Sequence, residues 1–452
     1  MPARRTTHRS QPATLALDDA QLAVYDHPVG PALIGASVGL VLFLWLLAAP
    51  VASRTVDAAA TLKSLANIAA FSGTVLYAWS IFLSARFLFL DGWFGGLDKA
   101  YKWHHITGGV AFFLLALHPL FLTFRALASG FPASRLWLLG TNWQINFGIL
   151  SLYAIALMLP ASIFLRIKYG LFVWLHRILG AVFLLGFLHA FLAKGNMVRF
   201  WPLWLYMFLV CSIAVVAYCY HSVFGTLVQL RYRYKVAKIK AQKDGVVEIV
   251  LEPVNRLLKF APGQFAYVSF LGHPESPEAH PYSMASSPAQ RQLRFVVKAL
   301  GDHTQAIAQV PVGSSALIEG PHGGFSFRFV RGREQVWVAG GIGITPFLAM
   351  AQSLPRRRYR VDLYYCVNEP AEAHYDQELQ QIARQNSSFN PILFCQSSHG
   401  FMNADILTKD RDVQTIEYFI CGPPPMLHAL HKGLVEKGVP EKHIHFEDFS
   451  FR

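Results

Sequence analysis

Charged residues are scarce in this sequence. Asp, Glu, Lys and Arg make up 15% of the 452 residues, whereas hydrophobic residues make up 53%. Soluble domains carry about 25% charged residues, so the composition favours a membrane protein over a soluble one. Cysteine is scarce too, and the five cysteines show no paired or metal-ligand spacing, so we predict neither a disulfide nor a zinc site. EF-hand motifs and proline-rich docking segments are absent, so nothing indicates regulation by calcium or by adaptor proteins.

Long apolar runs are confined to the first half of the chain, and none follows Gly225. Each run is near or above the roughly 20 residues that a membrane-spanning helix needs. They occupy residues 31–50, 65–90, 104–127, 144–165, 171–193 and 203–224. The later sequence consists of short alternating stretches such as "GVVEIVLEP", which are typical of strands in a water-soluble module. We therefore predict a tail over 1–30, a six-helix transmembrane bundle over 31–227, and a soluble part from residue 228.

The net charge of +13 is explained by where the basic residues lie. One set precedes the first span or follows the second, fourth and sixth: Arg4, Arg5, Arg9, Lys99, Lys102, Arg166, Lys168, Arg231, Arg233, Lys235, Lys238 and Lys240. The opposing loops carry a smaller set, namely Arg54, Lys63, Arg125, Arg135, Lys194 and Arg199. By the positive-inside rule, both termini and the soluble part are cytoplasmic in the cell inner (plasma) membrane. The first span has no evident cleavage site, so we interpret it as an anchor. Nucleic acid is not an expected partner.

Four histidines lie in two of the apolar runs at nearly equal spacing. His104 and His118 are 14 positions apart, about 21 Å along a helix, and His176 and His189 are 13 positions apart, about 19.5 Å. An unpartnered ionisable group in a membrane span costs several kcal/mol, so these residues are candidates for function. Two facing pairs would form two stacked sites with one imidazole from each helix, as in proteins that hold two haems across a bilayer. Other metal sites fit less well, because neither span contains an internal Asp, Glu or Cys.

Two alternatives remain open for the histidines. Any single one could simply be a hydrogen-bond partner of a neighbouring helix. His105 could replace His104, although the alignment of "HHITG" with "HRILG" favours His104, each motif having a glycine, Gly108 or Gly180, four positions after the histidine. Thirteen positions leave an ideal helix about 140° short of four turns, so we expect a bend or a π-bulge in the fifth span.

Two motifs of the soluble part suit a flavin. "HPYSMASSP" at 280–288 offers a planar aromatic, a hydroxyl and a donor in Tyr282, Ser283 and His280, which suit the ring, the polar edge and the phosphates of a flavin. "GPHGGFSF" at 320–327 offers small residues and backbone donors for a pyrophosphate or adenine group. Taken alone, each motif could equally be a tight turn beside a strand.

Two further motifs suit a nucleotide. "VWVAGGIGITPF" at 336–347 predicts a buried strand, a Gly-rich turn, and a helix with Thr345 as N-cap and Pro346 at its first position. It is not GxGxxG, because Thr345 and Pro346 stand where the third glycine would be. "EYFICGPPPM" at 417–426 is a second strand that ends in a Gly/Pro turn. A nucleotide site in an open α/β sheet requires two such strand ends.

The order of "HPYSMAS", "GPHGGFSF", "GGIGITP", "CGPPPM" and "FEDFSFR" resembles that of the ferredoxin-NADP reductase superfamily. Together with the six preceding spans and their paired histidines, the chain resembles the ferric reductase and NADPH oxidase family, especially its bacterial single-chain members, over about residues 65–452. The resemblance implies an antiparallel FAD-binding β-barrel over 228–330 and an NAD(P)H-binding α/β domain over 331–452.

The resemblance also implies roles for individual residues. The FAD-binding residues would be His280, Pro281, Tyr282, Ser283, Lys298, Gly323, Gly324 and Phe325. The nicotinamide nucleotide would be bound by Gly340, Gly341, Gly343, Thr345, Pro346, Cys421, Gly422 and Pro423. Phe449 or Phe451 would cover the flavin ring until nicotinamide displaces it, and Cys421 would lie at the hydride-transfer site. The inner haem would be bound by His104 and His176, and the outer haem by His118 and His189.

The implied activity is that of an NAD(P)H-dependent oxidoreductase. Electrons would pass from cytoplasmic NADPH or NADH through FAD and two b-type haems to oxygen, giving superoxide, or to a ferric or other metal complex on the opposite face. Oxygen-reducing relatives often carry a polar residue one turn beyond the outer haem ligand of the third span; Leu122 occupies that position here, which weakens the superoxide interpretation. The preference for NADPH comes only from the resemblance, because Asn368 and Glu369 have no adjacent Arg.

Two other functions stay open. The first is a haem-containing membrane subunit that exchanges electrons with a protein or quinone partner. The linked reductase part argues against it, and no obligatory protein partner is evident. The second is a transporter or anchor with a degenerate reductase domain.

Overall fold

The computed structural model describes residues 28–165, 169–193, 196–225, 231–271, 279–299 and 302–447. The chain divides into two compact units. The helical unit comprises residues 29–90 and 99–229, and the sheet unit is built from residues 91–98 together with the chain from residue 230 onward. Several basic residues used above for orientation lie outside the described residues, namely Arg4, Arg5, Arg9, Arg166, Lys168 and Lys194.

Six helices in the described residues are long and apolar enough to cross a membrane, which confirms the predicted number of spans. They are α1 (Gly30–Leu47), α2 (Ala58–Ser84), α3 (Leu97–Ala128), α4 (Trp143–Phe164), α5 (Tyr169–Leu192) and α6 (Trp201–Tyr218). A short helix, Leu88–Phe94, separates α2 from α3. Helix α2 begins earlier than its apolar run, because the Asp57 carboxylate accepts the Ala60 N–H (2.6 Å) and caps the helix N-terminus. The Asn142 side chain caps α4 by accepting the Gln144 N–H (3.1 Å).

The helices are joined by close packing and by hydrogen bonds between them. A Cβ on Gly73 of α2 would lie 2.9 Å from Leu115 of α3, so the glycine permits these two helices to approach closely. The Tyr77 hydroxyl donates to the Leu179 carbonyl (2.6 Å), and Tyr77 also packs edge-on against Phe183 of α5. Small residues and interhelical hydrogen bonds are the usual means of association inside a bilayer, where the hydrophobic effect between helices is absent.

The expected π-bulge in the fifth span is wrong. Helix α5 is α-helical from Tyr169 to Leu192, and the π-turn lies instead at the end of the sixth span, at Cys219–Val223. Helix α5 contains no proline, so its hydrogen-bond ladder is uninterrupted. Pro119 lies inside α3, directly after His118, and removes a backbone donor there. Helix α5 is thus continuous across both of its histidines, without the expected π-bulge.

Arg54, one of the basic residues of the opposing loops, has a structural role. Its guanidinium is buried and donates to the carbonyls of Trp45, Leu46 (3.3 Å) and Ala49 (3.1 Å), at the C-terminal end of α1. It also lies 3.7 Å from the centre of the Trp45 ring. A cation at this position satisfies carbonyls that the helix leaves unpaired and interacts favourably with the helix dipole.

The first part of the sheet unit is a nearly closed antiparallel barrel. Its strands are β1 (Tyr232–Ala241), β2 (Val246–Pro253), β3 (Phe265–Phe270), β4 (His280–Ser283), β5 (Leu293–Lys298) and β6 (Ser315–His322), in the order β4-β3-β6-β1-β2-β5. A bridge between Met284 and Phe295 brings the two ends of this order together. Buried and less buried residues alternate along β6, as expected where one face lines a core.

The second part is a parallel sheet of five strands, β7 (Glu334–Gly340), β8 (Arg360–Val367), β9 (Phe389–Cys395), β10 (Glu417–Cys421) and β11 (Ile444–Phe446), in the order β11-β10-β7-β8-β9. Its main helices are α7 (Thr345–Ser353), α8 (Asp376–Gln385) and α9 (Pro424–Glu436). Strand β10 is buried throughout, because hydrophobic side chains cover both faces of the sheet. The predicted fold class is confirmed: a six-helix bundle, an antiparallel barrel and an α/β domain.

Replacing Arg54 with Gln should destabilise the helical unit by about 3 kcal/mol, because buried carbonyls lose charge-assisted hydrogen bonds. The measurement is the apparent melting temperature of the detergent-solubilised protein. The control is Arg199→Gln, which removes the same charge from an exposed position. Equal melting temperatures for the two variants would contradict the role assigned to Arg54.

Candidate functional site

The four predicted histidines of the helical unit come together as two pairs. The rings of His104 on α3 and His176 on α5 face each other, with centres 5.8 Å apart and planes inclined by 68°. His118 and His189 are close enough to interact electrostatically. In the described part of the chain no three His, Cys, Asp or Glu side chains cluster as ligands of a metal ion. A third imidazole lies beside the inner pair, because the ring centre of His105 is 5.5 Å from that of His104.

Hydrogen bonds orient three of these rings. The Nδ1 atoms of His104 and His118 donate to the Ser80 and Ala66 carbonyls (2.7 and 2.9 Å), and that of His189 donates to the Gln144 carbonyl (2.7 Å). A carbonyl oxygen can only accept, so the proton is on Nδ1 and the Nε2 lone pair is available. Metal-ligating histidines usually show this arrangement, since the second nitrogen fixes the tautomer and the ring orientation.

Helix α2 supplies its two carbonyls at the spacing of the histidines. Ser80 and Ala66 are 14 positions apart, as are His104 and His118, so one helix orients both rings of α3. The Nδ1 of His176 is buried and has no hydrogen-bond partner among the described residues. This atom is the one exception to the pattern.

His104 and His105 have different surroundings, and the choice between them as ligands stays a prediction. His104 also lies 3.0 Å from the Ser80 hydroxyl, whereas His105, the next residue along the helix, is solvent-exposed. The glycines that follow the histidines are required by helix packing. A Cβ on Gly108 would lie 3.0 Å from the Ser80 hydroxyl, and one on Gly180 would overlap the Tyr218 ring.

In the sheet unit, the two predicted flavin segments flank the same strand. Strand β4 carries "HPYS" and pairs with β3, with Tyr282 opposite Ala266, and β6 ends beside the other edge of β3, with His322 opposite Phe265. The Tyr282 hydroxyl is buried without a hydrogen-bond partner among the described residues, and burial raises its pKa. An unpaired buried hydroxyl is a rare and costly feature, and it fits a polar ligand.

Other predicted flavin residues differ in exposure. Lys298 is exposed at the end of β5. Gly323 has a left-handed backbone (φ +98°), and a Cβ there would lie 2.8 Å from the Glu447 carboxyl. Phe325 packs edge-on against Phe347 and Phe419 in the core, so its side chain is structural. Phe449 and Phe451 lie outside the described residues.

The two predicted nucleotide loops meet at the ends of adjacent parallel strands. Strands β7 and β10 are paired, with Ala339 opposite Cys421. A Cβ on Gly343 would overlap the Cys421 carbonyl, and one on Gly340 would lie 3.3 Å from the Gly422 Cα. These glycines allow the loops to touch, and Gly341 has a left-handed backbone (φ +55°) with open space beside it. Neighbouring strand ends with Gly-rich loops are where open α/β sheets bind nucleotides.

Thr345 is not the N-cap of its helix. A short 3₁₀ turn, Gly341–Ile344, comes first, so Thr345 is already the first helical residue and Pro346 the second. The Thr345 hydroxyl is therefore directed back along the chain and donates to the Ile342 carbonyl (2.8 Å). Both residues remain at the start of the helix, next to the glycine turn.

Three buried titratable residues, Asp91, His322 and Glu447, were not among the predicted site residues. Asp91 accepts the Gly323 N–H (3.1 Å) and lies 3.5 Å from His322 Nδ1, and Glu447 lies next to Gly323. Burial raises the pKa of the Glu447 carboxyl well above its usual range, and Asp98 and Asp91 raise it further. Burial also raises the pKa of the Cys421 thiol, with Glu447 adding to the effect. The Cys421 thiol is thus protonated at neutral pH.

A sequence signal existed for two of these residues, since His322 lies in "GPHGGFSF" at 320–327. Glu447 lies two positions before Phe449 in the terminal motif "FEDFSF", which had already been singled out. Asp91 lies between the second and third apolar runs, and no motif marks it. Its importance depends on the packing of residues 91–98 in the sheet unit.

Taken together, a membrane-spanning helical unit, an antiparallel barrel with a flavin segment and a parallel sheet with a nucleotide loop define a multi-pass membrane oxidoreductase that is dependent on NAD(P)H. Sequence profiles agree with each part. Residues 69–187 match the ferric reductase like transmembrane component, 231–334 an FAD-binding domain, and 337–432 an oxidoreductase NAD-binding domain. The chain thus has the domain set of the ferric reductase and NADPH oxidase family.

Three similar proteins each match less than half of the chain. The electron transfer component of anthranilate 1,2-dioxygenase from Acinetobacter baylyi is 31% identical over 205 residues, 42% of this chain and 59% of the relative. That of 2-halobenzoate 1,2-dioxygenase from Burkholderia cepacia is 26% identical over 215 residues, 45% of this chain and 62% of the relative. This chain thus spans about three fifths of either relative. The FAD/NAD-binding domain of nitric oxide dioxygenase from Vibrio cholerae is 23% identical, with a TM-score of 0.42 over 48% of this chain and 97% of that domain.

Replacing Gly343 with Ala should force the two nucleotide loops apart, because the added Cβ overlaps the Cys421 carbonyl. We expect a loss of stability of about 2–4 kcal/mol and weaker NADP⁺ binding, measured by thermal unfolding and by titration. Gly341→Ala is the matched control. Its Cβ faces open space, so only the left-handed backbone opposes it, at a cost of about 1 kcal/mol. Similar losses in both variants would contradict the close-approach argument.

Replacing Glu447 with Gln should change how stability depends on pH. The folded chain holds the Glu447 proton more tightly than the unfolded chain, so ionisation of this carboxyl opposes folding above its ordinary pKa of 4.5. Full-length Glu447→Gln protein should therefore melt at a higher temperature than the parent at pH 8, and the difference should shrink towards pH 4. The control is exposed Glu436→Gln, and a pH-independent difference would show that Glu447 is already ionised.

Proposed function

We propose that this chain transfers electrons across a membrane, from NAD(P)H on the cytoplasmic side to an acceptor on the opposite face, with FAD and two b-type haems as prosthetic groups. The observation that carries the proposal is the orientation of the four membrane histidines. Three of them donate Nδ1–H to a backbone carbonyl and keep Nε2 available, and His104 faces a histidine of another helix. A histidine that served only to link two helices would not need a second imidazole opposite it.

The spacing of the inner pair fits an iron between two imidazoles. With metal–nitrogen distances of about 2 Å on each side, the two ring centres lie roughly 6 Å apart. The rings of His104 and His176 are 5.8 Å apart. We assign these two residues to the inner haem, and His118 and His189 to the outer haem. Backbone carbonyls as partners of Nδ1 make Nε2 a stronger ligand, which suits a resident cofactor.

The sheet unit suits the donor side of the reaction. When bound, FAD accepts two electrons as a hydride and releases them singly, as haem iron requires. Tyr282 and Ser283 of β4 and the turn at Gly323 would hold the flavin, since the unpaired Tyr282 hydroxyl fits a polar partner. The turn containing Gly341 and Gly343 would hold the phosphates of the nucleotide beside the start of α7.

Cys421 would act at the hydride-transfer position without charge. Its thiol is buried, and burial together with Glu447 raises its pKa, so it stays protonated. An uncharged group avoids binding the positively charged oxidised nicotinamide too tightly. We expect the FAD-binding domain to extend over 228–330 and the NAD(P)H-binding domain over 331–452.

Two electron acceptors are candidates on the opposite face of the membrane. Leu122, one turn beyond His118, is apolar, which favours a ferric or other metal complex over oxygen. Oxygen reduction to superoxide is the second candidate, because a reduced haem near the membrane surface can react with it. The basic residues that flank the spans support cytoplasmic termini in the inner (plasma) membrane.

An anaerobic optical spectrum of the purified chain, before and after NADPH, tests the proposal. We expect two haems per chain with low-spin bands that sharpen on NADPH addition. Haem that NADPH does not reduce would favour the alternative of a subunit that exchanges electrons with a protein or quinone partner. Absence of both haem and flavin would instead favour a transporter or anchor with a degenerate reductase domain.

Histidine variants test the assignment of the ligands. His104→Ala should lose about half of the bound haem, because one of two sites loses a ligand. The matched control is His105→Ala, the adjacent exposed residue, which should keep both haems. Haem content is measured by the pyridine haemochrome spectrum relative to protein. Loss of haem in His105→Ala with retention in His104→Ala would reverse the assignment.

A further inference from the structure

An ion pair joins the antiparallel barrel to the α/β domain within the sheet unit. Arg294 lies in β5 of the barrel, and Glu378 lies in α8 of the α/β domain. The guanidinium donates to both carboxylate oxygens, from Nη1 to Oε2 (3.0 Å) and from Nη2 to Oε1 (2.7 Å). A bidentate pair of this kind fixes the orientation of its two partners as well as the distance between them.

Neighbouring residues hold both partners of this pair in place. Glu248 of β2 lies 4.0 Å from Arg294 Nη1, on the barrel side. On the other side Gln352, near the end of α7, donates to Glu378 Oε1 (2.9 Å) and accepts the Ser287 N–H (3.1 Å). The Arg294 and Glu378 side chains are only 20% and 29% exposed, so solvent screens this pair less than a pair on the open surface.

Other contacts join the same two parts of the sheet unit. The Ser287 hydroxyl lies 3.0 Å from the Ser353 hydroxyl, and the Gln242 side chain donates to the Tyr375 hydroxyl (3.1 Å). Three barrel residues also pack in the hydrophobic core of the α/β domain, namely Val246, Ala285 and Val296. Domains that share only a small polar interface usually move relative to each other. Here the apolar contacts and the bidentate pair together oppose such motion.

The contacts of Gln352 and Ser287 connect the elements that carry the two predicted cofactor sites. Helix α7 begins directly after the nucleotide turn Gly341–Ile344, and its nine residues span about 13 Å before it ends at Ser353. In the barrel, Ser287 follows the last residue of the flavin strand β4 by four positions. A shift where Gln352 meets Ser287 therefore moves the nucleotide turn relative to the flavin segment.

We propose that Arg294 is a positioning residue for hydride transfer, which acts through Glu378 and α7 to set the distance between the nicotinamide and the flavin ring. The step moves one hydride from nicotinamide C4 to flavin N5, so that NAD(P)H and FAD become NAD(P)⁺ and FADH⁻. A misplacement of about 1 Å between reacting groups can lower a rate about a hundredfold. The inference rests on the flavin and nucleotide sites of the proposed function and does not involve the haems.

Arg411 provides a matched control, because its ion pair lies entirely within the α/β domain. Its Nη2 donates to Asp362 of β8 (2.6 Å), and the two side chains are 17% and 24% exposed. The Arg411 guanidinium also lies 5.8 Å from the centre of the Tyr364 ring, much as that of Arg294 lies 6.0 Å from the centre of the Tyr375 ring. Loss of the Arg411 pair should therefore lower stability in the same way but leave the two cofactor sites aligned.

The first test follows flavin reduction by NADPH in the full-length chain, by anaerobic stopped-flow absorbance. At saturating NADPH, Arg294→Gln and Glu378→Gln should each lower the rate constant at least about tenfold. The dissociation constant of NADPH should change less than about twofold, because the nucleotide loops lie in the α/β domain alone. Arg411→Gln should leave both constants unchanged. Equal rate constants in all four proteins, or a change in the dissociation constant alone, would overturn the proposal.

Two more variants test whether Arg294 and Glu378 act as one unit. The double variant Arg294→Gln, Glu378→Gln should be no slower than the slower single variant, since both substitutions remove the same interaction. Arg294→Lys keeps the charge but lacks the planar fork that bonds both carboxylate oxygens, so it should recover only part of the rate. Multiplied losses in the double variant would show that the two residues act separately and would contradict the proposal.

Absorbance of the stacked cofactors supplies a readout that does not depend on turnover. When NADP⁺ stacks on the chemically reduced flavin, the two rings give a long-wavelength charge-transfer band. We expect a weaker band in Arg294→Gln than in the parent at saturating NADP⁺, and an unchanged band in Arg411→Gln. Bands of equal intensity would overturn the positioning role alone. Absence of flavin reduction in the parent protein would instead overturn the proposed function, and this inference with it.

Discussion

A polar group inside a bilayer has no water to bind, and this constraint governs the helical unit. The imidazoles of His104 and His118 donate to backbone carbonyls of α2, and that of His189 to a carbonyl of α4. Satisfying one nitrogen in this way leaves the other directed away from the bond. The hydrogen bond that makes a buried histidine tolerable therefore also prepares it as a ligand, and the positions of α2 and α4 follow from the same requirement.

A different constraint governs the sheet unit, namely the approach of two backbone turns. Strands β7 and β10 are adjacent and parallel, so their loops emerge side by side. Gly343 lets one loop touch the carbonyl of Cys421 on the other, and a side chain there would separate them. Burial also raises the pKa of the Cys421 thiol and that of the Glu447 carboxyl. Packing thus determines both the shape of the nucleotide loops and the charge beside them.

Opposing loops of the helical unit use arginine in two ways. Arg54 is buried against the end of α1, where its charge is matched by carbonyl dipoles. Arg125 and Arg135 are exposed at the edge of a cavity, and neither has an acidic partner among the described residues. Their charge is therefore available to a ligand. Counting basic residues alone treats all three as equivalent. The environment of each guanidinium separates structural charge from charge available for binding.

The sequence by itself determined the number of spans, the class of each domain and the order of the motifs, because hydrophobic run length, alternation and glycine turns are local properties of the chain. It also indicated four histidines in two spans. Only the tertiary structure shows that His104 and His105 differ in their surroundings, since the Ser80 carbonyl accepts a hydrogen bond from His104, whereas the His105 side chain is exposed. The π-bulge was wrongly expected in α5 because helix spacing was calculated for one helix at a time. Asp91 was not predicted, because only folding brings it beside Gly323 and no motif marks it, whereas Glu447 lies in a motif that was noted only for its phenylalanines.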